Sequence, residues 1–131
     1  MMSQFQLFFN ALSKIKDSEI LTDELSLGVY ATDASLYQLK PIGVAIPKTE
    51  EALIQIVKLA YEYRVPILPR GSATSLAGQT TNEALIIDFT KYFNKILEIN
   101  QNEKYALVQS GVIRDQLNAQ IKSLGLHFAP D

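Results

Sequence analysis

Three short apolar runs between residues 43 and 88, with one amphipathic segment among them, restrict this chain's fold more than any other feature. Gly43-Val44-Ala45-Ile46, closed by Pro47, reads as a buried strand. Thr49 is placed to cap a helix, and Glu50 and Glu51 fall in its first turn, where negative charge complements the helix dipole. Leu53, Ile56, Val57, Ala60 and Tyr63 continue one apolar face. Pro66 disfavours helix at Val65, so the helix should end near Arg64. Pro66-Ile67-Leu68 is the next strand, and Leu85-Ile86-Ile87-Asp88 a third. Strands joined by a crossover helix lie parallel, with the helix on the right-handed side.

The pattern then changes. Lys95-Ile96-Leu97-Glu98-Ile99 and Tyr105-Ala106-Leu107-Val108-Gln109 flank the polar turn Asn100 to Lys104, which predicts an antiparallel hairpin. Residues 113–123 read as a helix with Ile113, Leu117, Ile121 and Leu124 on one face, stopped by Gly125. Ahead of the β-α-β unit, Phe5, Phe8, Phe9, Leu12 and Ile15 predict an amphipathic helix over 3–16, with Ser3 able to cap it. A polar stretch, Asp17 to Asp23, and a turn-rich loop from Tyr30 to Tyr37 follow. The fold class is α/β, and 131 residues suit one domain.

Composition removes several function classes. The net charge is −2 and no Lys/Arg run stands out, so nucleic acid and anionic membrane surfaces lack an electrostatic footprint. No cysteine is present, and His127 is the single histidine. Disulfides, thiolate zinc sites and iron–sulfur ligation are thereby excluded within these residues, and no metal site is expected. The N-terminus has neither a basic nor a long apolar region, so no signal peptide is expected, and no apolar run is long enough to span a bilayer. The default expectation is cytoplasmic.

The chemistry is concentrated in Pro69-Arg70-Gly71-Ser72-Ala73-Thr74-Ser75-Leu76-Ala77-Gly78-Gln79, directly after a strand, where ligands of parallel sheets commonly bind. Gly71 allows positive φ or close approach to a ligand. Small residues at 72, 73 and 75 let consecutive N–H groups form a concave anion site. Ser72, Thr74 and Ser75 offer hydroxyls, and Arg70 offers charge to a pyrophosphate if its side chain turns inward. The loop lacks the Gly-Lys-Ser/Thr ending of a Walker loop and is not a Gly-x-Gly-x-x-Gly fingerprint. A phosphate cradle of unusual type and a plain surface connection of small residues both remain open on these grounds.

The loop resembles the pyrophosphate loop of the FAD-linked oxidases of the p-cresol methylhydroxylase type. Their usual form is Pro-Arg-Gly-Gly-x-Thr-Ser-Leu-Ala/Ser-Gly-Gln. The resemblance extends over about residues 28–131. Tyr30 to Tyr37 is similar to the segment preceding the domain in glycolate, D-lactate and D-2-hydroxyglutarate dehydrogenases. Ile46 to Glu51, Leu85 to Thr90, Lys95 to Ile99, Val108 to Val112 and Gly125 to Asp131 follow the family's order. The similarity is greatest to large bacterial proteins that join this domain to an iron–sulfur domain. Gly71-Ser72-Ala73 stands where the family usually has Gly-Gly-Gly or Gly-Ala-Gly.

The resemblance implies an α/β (α+β) FAD-binding domain: a small parallel β-α-β lobe and the start of an antiparallel one. Residues 1–27 are then an N-terminal helical extension, and 28–131 a partial domain. It implies FAD as cofactor, held by Pro69, Arg70, Gly71, Ser72, Ala73, Thr74, Ser75, Gly78 and Gln79, with Pro130 and Asp131 as further contacts. A 2-hydroxy acid is the implied substrate, in a longer form that carries a separate substrate domain. No catalytic residue is assigned, and the chain alone is expected to be inactive.

Two other readings stand beside this one. The first is a non-catalytic domain that folds or self-associates, as a homodimer, without flavin, because open strand edges invite pairing. The second is the NADPH-using cell-wall reductase of the same fold, against which the Tyr-Ala-Thr-Asp segment and the Pro-Asp ending argue. For single residues, Asp88 is expected to anchor a loop, Gly111 to serve a turn, and His127 to pack. Tyr30 and Tyr37 are expected as core or interface aromatics, and Asp33 as a loop acceptor.

Overall fold

The computed structural model describes residues 3–130. Helix α1 (Gln4–Leu12) opens on a capping box. The Ser3 hydroxyl accepts from the Gln6 N–H at 3.2 Å, and the Gln6 side chain accepts from the Ser3 N–H at 2.8 Å. Strand β1 (Ser18–Leu21) and helix α2 (Glu24–Tyr30) follow, then β2 (Gly43–Pro47), α3 (Glu50–Glu62), β3 (Ile67–Arg70) and β4 (Leu85–Asp88). The chain ends in the hairpin β5 (Ile96–Asn100) and β6 (Tyr105–Val108), helix α4 (Arg114–Ile121) and a 3-10 turn, Lys122–Leu124. Gly125 closes that turn in a left-handed conformation, φ 70°. Thr49 caps α3 as its sequence position indicates.

The first sheet runs β1-β2-β4-β3. β2 and β3 are each parallel to β4, which lies between them, and β1 adds an antiparallel edge on β2. The crossover helix therefore joins strands that share a neighbour rather than a ladder. Side chains alternate between two covered faces. Ala45, Leu85 and Ile87 pack with Phe8 and Leu12 of α1 and Ile56 and Ala60 of α3. Val44, Ile46 and Ile86 pack with Leu27 of α2. Burial on both faces explains why β2 and β4 read as continuous apolar runs instead of alternating ones.

Two elements are added to the sequence reading, and α1 stops at Leu12, short of the Ile15 expected on its face. The polar stretch Asp17 to Asp23 contains β1, whose register sets Ile20 opposite Ala45. The segment before the loop is helical over Glu24–Tyr30, with the Asp23 carboxylate accepting from the Ser26 N–H at 3.0 Å. Residues 3–27, expected as an extension, contribute Phe8, Leu12 and Leu27 to the two cores and an edge strand to the sheet. Glu19 of β1 also receives Lys91 Nζ at 2.8 Å and the Tyr92 hydroxyl, tying that edge to the segment after β4.

The hairpin forms a separate two-stranded sheet. It is joined to the first lobe at Gly111, whose N–H donates to the Phe93 carbonyl at 2.8 Å. A Cβ on Gly111 would lie 2.1 Å from the Phe89 carbonyl oxygen. Close backbone approach, not a turn's dihedral, is what this glycine serves.

Candidate functional site

Parallel β3 and β4 end in register, Arg70 opposite Asp88, so the segments leaving both strands emerge at one end of the sheet. Loop 71–79 leaves β3 there, and the turn at Ser110 comes beside it. The Ser110 carbonyl oxygen is the nearest heavy atom, at 3.9 Å, to a Cβ built on Gly71. Gly71 does not take positive φ; the left-handed residues of the loop are Ala73, φ 58°, and Gly78, φ 74°. The Gly78 position is also crowded, since a Cβ would meet the Tyr37 ring at 2.7 Å.

Among the described residues, no hydrogen bond takes up the backbone N–H of Ser72, Ala73, Thr74, Ser75 or Leu76. Ser72, Thr74 and Leu76 are exposed, and Thr74, Ser75, Leu76, Ala77 and Gln79 line an open groove. The Ser75 hydroxyl works inside the loop, accepting from the Ala77 N–H at 3.3 Å and the Gln79 N–H at 3.2 Å and contacting the Gln79 side chain. A run of open amides around a left-handed residue is the arrangement that holds an anion without side-chain charge. The residues present therefore fit a phosphate group.

Arg70 turns into the protein and is buried. Its guanidinium donates to the carbonyls of Tyr30 at 3.0 Å, Thr80 at 3.1 Å and Thr32 at 2.8 Å, and lies over the Tyr30 ring at 5.1 Å. Asp33 reinforces the same junction. Its carboxylate accepts from the Ser35 N–H at 2.9 Å and from the Thr80 hydroxyl at 2.8 Å. Ser35, then Thr80, hold the Asp33 carboxyl down at about 2. The Ala34 N–H donates to the Ala73 carbonyl at 3.0 Å. The strap of residues 30–37 thus grips the loop at Arg70, Ala73, Gly78 and Thr80.

Asp88 sits under this junction as an anchor. It accepts from the Tyr30 hydroxyl at 2.5 Å and from the N–H and hydroxyl of Thr90 at 2.7 and 2.6 Å. Burial, and then the bond to Asp88, push the Tyr30 phenol well above its usual range. Thr80 was not singled out by sequence; the signal available was Asp33 two residues before Ser35, an Asx-turn pattern with an oxygen to spare. Pro69 is exposed at the strand end. Pro130 is exposed beyond Phe128, whose backbone Asn118 grips at 2.8 and 3.1 Å, and Asp131 lies outside the described residues. His127 is exposed beside Tyr105, Leu117 and Phe128. No group of three metal-ligating side chains occurs among the described residues, and none of their helices is long and apolar enough to cross a membrane.

The family described as FAD binding domain matches residues 41–131. The chain belongs to it. Its cofactor is FAD. D-2-hydroxyglutarate dehydrogenase from Haemophilus influenzae is 43% identical over 112 residues, 83% of this chain and 11% of the relative. Glycolate oxidase subunit GlcD from Bacillus subtilis is 41% identical over 106 residues, covering 79% of this chain and 22% of the relative. Among solved structures, 4-ethylphenol oxidase from Gulosibacter chungangensis aligns with a TM-score of 0.73 at 23% identity, over 93% of this chain and 25% of that one. p-Cresol methylhydroxylase aligns with a TM-score of 0.71 at 23% identity, over 96% of this chain and 26% of that one. The FAD-binding domain thus has the p-cresol methylhydroxylase fold, and the chain spans between about a tenth and a quarter of the length of these proteins.

Proposed function

We propose that this FAD-binding domain is part of a flavin-dependent oxidoreductase acting on a 2-hydroxy acid, and that loop 69–79 holds the FAD pyrophosphate. The observation that carries the reading is the run of open amides from Ser72 to Leu76. Gly71 supports it. A Cβ there would meet nothing nearer than the Ser110 carbonyl oxygen at 3.9 Å, so the backbone beside Ser110 is open to close approach by a ligand. The cradle comprises the backbone from Gly71 to Leu76, with Gly78 and Gln79 closing the loop behind it through the Ser75 hydroxyl, while Pro69 and Arg70 end β3. Pro130 and Asp131 as flavin contacts rest on the family resemblance. When bound, FAD supplies the hydride acceptor, and this chain's residues supply binding and orientation. The substrate class rests on relatives named for D-2-hydroxyglutarate and glycolate.

Competition tests the reading. ADP, which carries a pyrophosphate, should displace FAD from the purified chain, and riboflavin, which carries none, should not. Riboflavin displacing FAD as well as ADP does would contradict it.

Self-association is a second reading, favoured by the two-stranded β5–β6 sheet, where Leu97, Tyr105 and Leu107 are exposed. Sedimentation should then show a dimer that a Leu107→Lys substitution disperses; a monomer at all concentrations contradicts it.

A further inference from the structure

We propose that Asp33 and Arg70 are positioning residues: they shape loop 71–79 so that its amides face the phosphates, and neither touches the ligand. The inference rests on the proposed pyrophosphate site. Arg70 is the one cation of the motif, yet its guanidinium is taken up by the carbonyls of Tyr30, Thr32 and Thr80. Those contacts need a planar fork reaching three acceptors at once, which an ammonium does not reproduce. Asp33 acts at the other end of the loop. One carboxylate oxygen closes the turn onto Ser35 and the other holds the Thr80 hydroxyl. Between them the Ala34 N–H bonds to the carbonyl of left-handed Ala73, in the middle of the open amides. The strap is thus the template of the cradle. An anion held here is held by backbone dipoles that are already oriented, with little ordering left to do on binding.

The test uses the whole chain with Asp33→Asn, Thr80→Val, their combination, Arg70→Lys and Arg70→Met. Asp33→Asn retains an oxygen for Ser35 and loses the acceptor for Thr80. In the flavin-free protein, amide order parameters over residues 72–79 should fall from the rigid range, about 0.85, toward 0.6 in both single variants. Losing this charge-assisted bond should weaken FAD binding about tenfold in each. The double variant should be no worse than Asp33→Asn alone, because that substitution already removes the acceptor of both the Thr80 hydroxyl and the Thr80 N–H. Arg70→Lys should lose as much affinity as Arg70→Met although it keeps the charge, and the salt dependence of FAD binding should be the same in both. Wild-type affinity in Arg70→Lys, or a salt dependence abolished by Arg70→Met alone, would show direct contact and overturn the proposal. Should the Arg70 variants fail to fold, the Asp33 and Thr80 variants decide: unchanged order parameters, or unchanged FAD affinity, reject the template. If the wild-type chain takes up no FAD, the pyrophosphate reading fails separately, and the order parameters still decide whether the strap shapes the loop.

Discussion

Ala73 has a left-handed backbone, φ 58°, which costs an L-residue roughly 1–2 kcal/mol. Glycine would avoid that cost but lose more chain entropy on folding, so Ala73→Gly should gain about 0.5–1 kcal/mol in urea denaturation. Ala73→Val should lose stability in the same experiment, because a branched Cβ fits that region worse still. Gly111 presents the opposite situation, since its φ is ordinary and its surroundings are full. A methyl group there overlaps the Phe89 carbonyl, so Gly111→Ala should cost about 3 kcal/mol and lower the melting temperature. Sequence alone assigns the loop's conformational freedom to Gly71, because glycine is where positive φ is cheapest. The strap decides otherwise by bonding the Ala34 N–H to the Ala73 carbonyl, a contact between residues far apart in sequence.

At the scale of elements, the strap and the loop behave as one unit, and Asp33 gives that unit a pH dependence. The folded carboxyl is held at about 2 against an ordinary value of 3.8. Its contribution is therefore fully present above pH ~4 and disappears as pH falls through about 2. The stability difference between wild type and Asp33→Asn should shrink over that window and stay constant between pH 5 and 7, as denaturation at several pH values can show. Tyr30→Phe should cost about 1–3 kcal/mol, because it leaves buried Asp88 without one of its donors. The hairpin, α3 with its Thr49 cap and the Gly125 stop were legible because each depends on local pattern. β1 was not: its four residues are all half-buried, and an edge strand half in water shows neither alternation nor an apolar run. α2 was obscured by its seven-residue length and by Gly28 within it.

For the whole molecule, the order β1-β2-β4-β3 decides how the site is built, and nothing local encodes it. Insertion of β4 between β2 and β3 places it centrally, with α1 and α3 on one face and α2 on the other, and brings Asp88 level with Arg70. The covering on one face depends on α1, whose Phe8 and Leu12 are fully buried against β2, β4 and α3. Phe8→Ala should cost about 3–5 kcal/mol and unfold the parallel sheet with α1 as one transition. Loss of α1 helicity alone, with the sheet intact, would show that the N-terminal segment is an accessory. The loop's place at the strand end was legible, as was its run of small residues; the use of the Arg70 guanidinium was not, because it depends on three carbonyls supplied from the strap and from Thr80.

The most direct test of the flavin cradle is a titration of the chain with FAD, followed by amide chemical shifts. The account predicts saturable shifts centred on the N–H groups of residues 72–76, with Ser110 and Gly111 moving less and α3 unmoved. Binding that shifts the β5–β6 hairpin and leaves 72–76 in place, or no shifts at all, would contradict it.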